Sequence, residues 1–164
     1  MITIKHLENE DEIKGKAFVH WKAWKETYTG LVDQNYLDSR TLEMSEQNAF
    51  KAFGNGCKTL IAKDEKMVIG FADYGLYRWA DLPDTGEVYA IYILKEYYDK
   101  GIGYALMKKA IEELKQNLKI AVWVLEKNER AIRFYSRIGC CFDGKTQILQ
   151  MGIPVTEARM VLIR

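Results

Sequence analysis

The sequence predicts a single α+β domain over residues 1–164, and three observations support that prediction. The composition suits a globular protein with a real core, since 48% of the residues are hydrophobic and 29% are charged. Seven short β-prone segments alternate with amphipathic helical segments along the chain. No internal repeat and no linker rich in proline or glycine divides the 164 residues, a length that suits one domain.

The N-terminal half alternates strands with a long helical region. Apolar residues recur every three or four positions from Ile13 to Tyr28 and indicate a helix, which Gly30 ends. A second helical region follows in one or two pieces, and a polar turn separates the next two strands. The predicted strands are 2–5, 58–62 and 67–77, and the predicted helices are 11–28 and 33–53.

The C-terminal half begins with a strongly apolar strand, which the pattern places in the centre of the sheet. A glycine turn leads from it into a helix whose apolar face carries Leu106, Ala110 and Leu114. A second buried strand precedes a helix with an N-cap at Asn128 and a stop at Gly139. The predicted strands are 87–94, 120–125, 141–151 and 155–163, and the predicted helices run from the turn at 101–103 to 117 and over 128–138.

Charge and hydropathy argue against several classes of partner. The 24 Lys and Arg residues nearly balance the 23 Asp and Glu residues, so the net charge of +1 gives no reason to expect a nucleic acid or an anionic membrane. No uncharged apolar stretch approaches the length of a membrane span. Charged residues interrupt the N-terminal segment, so no signal peptide is predicted. We therefore expect a cytoplasmic protein with no membrane or nucleic-acid partner.

Neither a metal site nor a disulfide framework is indicated by the three cysteines, Cys57, Cys140 and Cys141. Two of them are adjacent, no Cys-x-x-Cys pair occurs, and His6 and His20 are distant from all three in sequence. We expect reduced thiols, as in a reducing cytoplasm, with Cys140 and Cys141 in the core. No metal is predicted.

The segment 88–106, VYAIYILKEYYDKGIGYAL, is the most informative about function. Gly101 and Gly103 allow backbone N–H groups to approach a ligand closely, and the first helical turn leaves N–H donors free, so a diphosphate would suit this turn. Lys100 would add a positive charge. A plain strand–turn–helix corner uses the same glycines and remains an alternative. Leu106 replaces the third glycine of a Rossmann fingerprint, and the Gly-Lys-Ser/Thr of a P-loop is absent.

This segment resembles the acyl-CoA-binding motif of the GNAT superfamily of N-acetyltransferases, whose usual form is Gln/Arg-x-x-Gly-x-Gly/Ala after an apolar strand. The downstream segment 123–139, WVLEKNERAIRFYSRIG, also resembles that family, in which an asparagine opens a helix after the fifth strand and a tyrosine follows seven residues later. Asn128 and Tyr135 match both positions. The order of strands and helices is similar over nearly all of the chain.

The resemblance implies a mixed, mostly antiparallel sheet of about seven strands, splayed between strands 4 and 5 and flanked by about four helices. It also implies acetyl-CoA as the co-substrate. Backbone groups of Ile91 and Ile93 would pair with the pantetheine arm, and Asn128 would contact that arm or steady the strand ends. Tyr135 would lie near the sulfur. The pyrophosphate would lie on the turn formed by Asp99, Lys100, Gly101, Ile102, Gly103 and Tyr104.

Two positions depart from the family pattern. Tyr98 stands where Gln or Arg is usual, so we expect a weakened side-chain contact to phosphate at this border of the coenzyme site, while the backbone donors remain. Cys140-Cys141 follows Gly139 where Gly-Phe is frequent, which changes core packing rather than chemistry.

Acetyl transfer to an amine requires a neutral amine, a polarised carbonyl and a stabilised thiolate. The resemblance makes Tyr135 the candidate general acid. Proton transfer from a phenol of pKa ~10 to a thiolate of pKa ~8.5 is uphill by roughly 2 kcal/mol, so Tyr135→Phe should slow turnover by about 10²–10⁴-fold at most. Periodicity alone places Tyr135 on an apolar helix face with Ala131, Phe134 and Ile138, which leaves a core role open.

The general base is assigned first to Glu87, which opens the fourth strand, and second to Glu26 at the end of the aromatic helix. Either carboxylate would act through water, and a solvated surface role is the alternative for both.

The resemblance places the acceptor between the first two helices and the loops around strands 3–4 and 6–7. Trp21, Trp24 and Tyr28, with Tyr36 nearby, would wall an amine site through cation–π contacts, although core packing explains the same stripe. The segment 73–87 carries four carboxylates against one arginine, and we expect an acidic mouth that attracts a cationic amine. These carboxylates belong to Asp73, Asp81, Asp84 and Glu87.

We therefore predict an acetyl-CoA-dependent N-acetyltransferase that moves an acetyl group to a primary amine, on a small molecule or a peptide, by direct attack in a ternary complex. The alternatives are a catalytically silent acyl-CoA-binding regulatory module and a different nucleotide-diphosphate enzyme. A homodimer is compatible with the sequence, as the commonest oligomer in general.

Overall fold

A computed structural model describes all residues of the chain, 1–164. Its centre is one seven-stranded sheet with the strand order β1-β2-β3-β4-β5-β7-β6. The strands are β1 (Ile2–His6), β2 (Lys58–Asp64), β3 (Met67–Leu76), β4 (Thr85–Ile93), β5 (Lys119–Leu125), β6 (Cys141–Gln150) and β7 (Pro154–Ile163).

Five α-helices cover the two faces of the sheet. The helices are α1 (Glu10–Tyr28), α2 (Gln34–Asp38), α3 (Leu42–Gly54), α4 (Ile102–Glu113) and α5 (Glu129–Ile138), and one 3₁₀ turn occupies Lys95–Tyr97. Side-chain oxygens cap four of these helices at their N-termini, as expected for asparagine, aspartate and threonine. The capping residues are Asn9, Asp33, Thr41 and Asn128.

The sheet is antiparallel except at its centre, where β4 and β5 run parallel. Only three residue pairs join these two strands, from Thr85 with Lys119 to Glu87 with Ala121. β4 continues for six residues beyond Glu87, along β3 only. The strands therefore diverge after Glu87, and the predicted splay between strands 4 and 5 is confirmed, as is the mostly antiparallel sheet.

Each face of the sheet has its own apolar core. Successive residues of β2 face opposite sides, so Leu60 packs in the cluster under α4 and Ile61 packs in the cluster under α1. The predicted apolar face of α4 is confirmed, because Leu106, Ala110 and Leu114 are all buried. The two layers fix α1 and α4 on opposite faces of the opening between β4 and β5.

Three details differ from the sequence-based prediction. β4 begins at Thr85 rather than at residue 87, since Thr85 and Gly86 acquire partners on neighbouring strands only in the folded sheet. α4 ends at Glu113 rather than 117, because the chain continues there as turns, with the Asn117 N–H donating to the Leu114 carbonyl. Cys140 is buried as predicted, but the core position predicted for Cys141 is wrong, because that residue is exposed on the edge strand β6.

No helix combines the length and the apolar character that crossing a membrane requires.

Candidate active site

The opening between β4 and β5 presents unpaired backbone groups of β4. The Leu94 N–H donates to the Ile69 carbonyl on β3 at 3.0 Å. Successive N–H groups along a strand point to opposite edges, so the N–H groups of Ile93 and Ile91 point toward the opening. The regular register of Ile91 and Ile93 with β3 supports this assignment. An extended ligand in the opening would meet these groups as a neighbouring strand does.

A β-bulge lies just beyond the last β4–β5 pair. Asp73 pairs with Ala90 and Tyr74 pairs with Val88, so Tyr89 has no partner in β3. Such an extra residue bends the strand and redirects its backbone groups. The bulge thus lies where β4 leaves β5, at the base of the opening.

The turn that follows β4 has the form of an anion cradle. Asp99 and Gly101 adopt left-handed backbone conformations, with φ of 61° and 75°. Gly101 is the N-cap of α4 and provides no capping side chain, so the N–H groups of the first helical turn have no side-chain acceptor. A Cβ built on Gly101 meets no heavy atom within 4 Å. Free donors, the helix dipole and open space together suit a phosphate group.

The two glycines of the motif have different physical roles. Gly101 is needed for its positive φ. Gly103 is helical, and a Cβ there would lie 3.1 Å from Ile93 Cδ1 and 3.2 Å from Phe134 Cε2. The missing side chain of Gly103 therefore lets α4 pack closely on β4 and α5.

Arginine and lysine side chains flank the cradle. The Arg130 guanidinium, from the first turn of α5, stacks on the Tyr98 ring at 4.0 Å and lies 3.4 Å from Asp99 Oδ1. Lys100 Nζ lies 4.9 Å from the Tyr97 ring centroid. Sequence reasoning missed Arg130, because it is one of several charged residues on the wet face of α5. The structure places its charge beside the position where the family usually has Gln or Arg.

Asn128 and Tyr135 are positioned by α5. The Asn128 side-chain oxygen accepts from the Ala131 N–H at 3.2 Å, so the predicted N-cap is confirmed and the side-chain amide N–H groups stay free. Gly139 ends the helix with φ of 109°, also as predicted. This short, doubly capped helix holds Tyr135 one turn before its end.

Tyr135 is buried, and its ring packs against Phe134 with 5.2 Å between the centroids. Burial raises the pKa of Tyr135 well above its usual range, and Tyr28 acts in the same direction. The two phenols come from different helices, Tyr135 from α5 and Tyr28 from α1. The Tyr135 hydroxyl makes no hydrogen bond within the chain and is accessible to solvent.

Glu87 lies at the base of the opening and is engaged by Arg78. The Arg78 guanidinium donates to both carboxylate oxygens, at 2.7 and 3.2 Å, and the Arg78 backbone N–H adds a bond of 3.2 Å. Glu26, the second base predicted, accepts from the Lys95 backbone N–H at 2.9 Å, at the far end of β4. Glu87 therefore holds the β3–β4 loop, and Glu26 joins α1 to the 3₁₀ turn.

An aromatic cluster lies on the α1 side of the opening. The hydroxyls of Tyr28 and Tyr92 are 2.7 Å apart, Trp24 packs edge-on to Tyr28 at 5.1 Å, and His20 stacks on Tyr92 at 5.3 Å. Burial raises the pKa of Tyr28. Trp21, also predicted in the acceptor region, packs on Phe18 with 5.9 Å between the ring centroids, and its indole N–H donates to the Arg40 carbonyl.

Three of the four carboxylates in segment 73–87, the expected acidic mouth, are paired with cations, two of which come from other elements. Asp73 binds Lys16 at 2.8 Å, Asp81 binds Arg159 at 2.9 Å, and Glu87 is paired with Arg78. The expectation of a net acidic surface was wrong because the cations come from α1 and β7, which the local sequence window did not include.

Glu157 is a carboxylate that sequence reasoning missed. It lies on β7 opposite Leu125, beyond the point where β5 leaves β4, and it accepts from the Gln147 side chain. Burial raises the pKa of Glu157, and nearby Glu87 also raises it. The charge of Glu157 also raises the pKa of Tyr28, after the larger effect of burial. No local motif marks it, since only the β5–β7 pairing brings it to the site.

A sheet that splays beside a free helix N-terminus is the arrangement expected of an acyltransferase that uses an acyl-coenzyme A, as the sequence motifs indicated. Comparison with known proteins agrees with this class. The sequence profile of the GNAT acetyltransferase family matches residues 19–140, and the chain belongs to that family. It is an N-acetyltransferase.

Two relatives and one solved structure illustrate the relationship. The uncharacterized N-acetyltransferase YuaI of Bacillus subtilis (strain 168) is 37% identical over 138 residues, which is 82% of this chain and 78% of that protein. The spermine/spermidine N(1)-acetyltransferase of the same organism is 34% identical over 96 residues, 55% of this chain and 63% of that protein. The PaiA N-acetyltransferase of Thermoplasma acidophilum, solved in complex with coenzyme A, superposes with a TM-score of 0.77 at 20% identity, covering 100% of this chain and 99% of that one. This last similarity is one of fold.

Proposed function

We propose that this chain transfers the acetyl group of acetyl-CoA to a primary amine by direct attack in a ternary complex, with Tyr135 as the general acid. The observation that carries the proposal is that three features adjoin one another along β4, which leads into the turn before α4 and whose Ile91 and Ile93 pack against the apolar cluster that contains Tyr135. These features are the left-handed turn at 99–101, the free edge of β4 and the Tyr135 phenol.

The donor half of the site fits a coenzyme with an anionic end and an amide-rich arm. The N–H groups at the start of α4 would bind the pyrophosphate, and Ile91 and Ile93 would pair with the arm. The turn from Asp99 to Tyr104 would border the phosphates. Arg130, stacked on Tyr98, would provide the side-chain charge that Tyr98 itself lacks. Asn128 would contact the arm through its free amide N–H groups.

The thioester of acetyl-CoA supplies the activated acetyl group, and the chain's residues organise its transfer. A backbone N–H at the β4 bulge would polarise the carbonyl. The Tyr135 hydroxyl would donate to the departing sulfur. Because burial raises the pKa of Tyr135, the phenol acts as a hydrogen-bond donor to developing charge more than as a complete proton donor. We propose no acyl-enzyme intermediate. Cys57 and Cys141 lie outside β4, β5, α4 and α5, the elements around the opening, and Cys140 is a buried thiol.

Glu87 and Glu157 are the two candidates for the general base. Their hydrogen bonds and burial favour Glu157. Both oxygens of Glu87 already accept hydrogen bonds from Arg78. Glu157 is half-buried, and its raised pKa suits a group that must take a proton near neutral pH. Glu157 would act directly or through water on an ammonium beside Tyr28, with Trp24 and Tyr28 walling the amine.

The proposed class of acceptor, an amine, is based on the family and on one relative. An amine is the acceptor in the relative named spermine/spermidine N(1)-acetyltransferase. For this chain we propose only that the acceptor is a small molecule with a primary amine.

Release of free CoA thiol across a panel of amines, combined with calorimetry of acetyl-CoA binding, tests the proposal. Binding together with amine-dependent thiol release is the expected result. Binding without thiol release from any amine would instead make the chain a silent acyl-CoA-binding module. Absence of binding at millimolar coenzyme would refute the donor site as well.

The base is tested by comparing Glu157→Gln and Glu87→Gln. Glu157→Gln should remove the acidic limb of the kcat/KM profile and lower turnover by about 10²-fold or more, with little effect on the melting temperature. Glu87→Gln should mainly lower the melting temperature, because Arg78 loses a buried partner. The reverse pattern would return the role of base to Glu87.

A further inference from the structure

A cavity between α1, α2 and α3 has the chemistry of a small anion site. It provides about 30 Å³ for atoms of water size. Since each water-sized group needs roughly 10–15 Å³, this space admits only a small group. Its polar lining contains no acidic residue and consists of His20, Lys25, Arg40, Thr41, Ser45 and Asn48.

Aromatic rings rather than carboxylates hold the two cations of this cavity. The Arg40 guanidinium carbon lies 5.0 Å from the Trp24 ring and 5.9 Å from the Tyr36 ring, and Lys25 Nζ lies 4.6 Å from the Trp21 ring. Neither cation has a carboxylate oxygen within 4.0 Å. Stacking restricts the guanidinium while leaving its N–H groups free, which is the arrangement that binds a carboxylate well.

The cavity adjoins the acceptor side of the opening through two shared side chains. His20 and Trp24 line the cavity. His20 stacks on Tyr92 and Trp24 packs against Tyr28, the pair whose hydroxyls are 2.7 Å apart. The Trp24 ring therefore lies between the two regions, 5.1 Å from the Tyr28 ring and 5.0 Å from the Arg40 guanidinium carbon.

We propose that this cavity binds a carboxylate of the acceptor, so that the preferred substrates are amines that also carry a carboxylate, such as amino acids, rather than polyamines. The inference rests on the proposed acetyl transfer and adds its substrate class. A polyamine would place a further cation near Lys25 and Arg40, with no acidic residue in the cavity to receive it. A carboxylate there would form ion pairs with Lys25 and Arg40, neither of which has a carboxylate partner within the chain.

The test compares each of several amino acids with the amine that its decarboxylation yields, for example lysine with cadaverine and ornithine with putrescine. Each pair differs only in the carboxylate. From one charge-assisted contact, kcat/KM should favour the amino acid by about 10- to 150-fold. Arg40→Gln should remove most of that preference, and Arg40→Lys should retain part of it.

Lys22→Gln is the matched control, because Lys22 lies on the same helix, does not line the cavity, and is paired with Glu96 at 3.0 Å. It should leave the preference unchanged. Equal or better acetylation of the decarboxylated amines, or a preference that survives Arg40→Gln in a folded variant, would overturn the inference while leaving acetyl transfer intact.

A binding readout separates this inference from the proposed activity. In the presence of CoA, amino acids at millimolar concentration should raise the melting temperature of the wild type more than that of Arg40→Gln. If no amino acid shifts the melting temperature and none is acetylated, the carboxylate site is refuted. Calorimetry with acetyl-CoA then reports separately on the donor half.

Discussion

Replacing Tyr135 by phenylalanine removes one hydroxyl and tests the chemistry at the sulfur. This hydroxyl makes no hydrogen bond within the chain, so the variant should fold with an almost unchanged melting temperature. Any loss of turnover then reports on interactions with the substrate rather than on stability.

The size of the effect follows from the environment of Tyr135. Even an ordinary phenol transfers its proton to a thiolate uphill by roughly 2 kcal/mol, and burial raises the pKa of Tyr135 further. The main contribution is therefore a hydrogen bond to developing negative charge, about 1.5–3 kcal/mol. We expect kcat to fall by about 10- to 150-fold, at the lower end of general-acid catalysis.

Steady-state thiol release gives kcat, calorimetry gives the dissociation constant of acetyl-CoA, and Tyr74→Phe is the matched control. Tyr74 is also buried with an unpartnered hydroxyl, but it lies on β3 under α4 and should leave kcat unchanged. An unchanged kcat in Tyr135→Phe with weaker acetyl-CoA binding would make Tyr135 a binding residue. A loss of about 10³-fold or more, in the upper range of general-acid catalysis, would contradict the hydrogen-bond argument.

Three further predictions concern the cradle and the fold. Gly101→Ala should cost about 1–2 kcal/mol of stability because of its left-handed φ, and it should weaken acetyl-CoA binding in calorimetry, whereas helical Gly54→Ala, which also meets open space, should leave binding unchanged. Arg130→Ala should raise the dissociation constant of acetyl-CoA by up to about 5-fold, an effect that shrinks with salt, and an equal effect of Arg133→Ala one turn on would contradict a specific contact. Burial alone would raise the pKa of Glu12, but hydrogen bonds from two lysines outweigh burial and hold this pKa at about 2. Glu12 therefore stabilises the fold above pH ~4.5, and that contribution disappears as the pH falls toward ~2. Thermal melts across this range should show a smaller acid-induced decrease in Glu12→Gln than in the wild type.

The secondary-structure elements and the coenzyme motif could be predicted from the sequence alone. Alternation and helical periodicity are local properties, so the seven strands, the glycine turn and the capped helix that carries Tyr135 were predictable from neighbouring residues. The positive φ at Gly101 and the N-cap at Asn128 belong to the same local chemistry.

The partners of the charged residues could not be predicted in this way, because they depend on how distant elements pack. Lys16 and Arg159 neutralise the acidic segment from distant parts of the chain, and Glu157 reaches the site through the pairing of β5 with β7. Arg40 lies unpaired beside the acceptor side because α1 and α2 pack there. The physical reason is that secondary structure depends on a few neighbouring residues, whereas electrostatics and cavity shape depend on contacts between residues that only folding brings together.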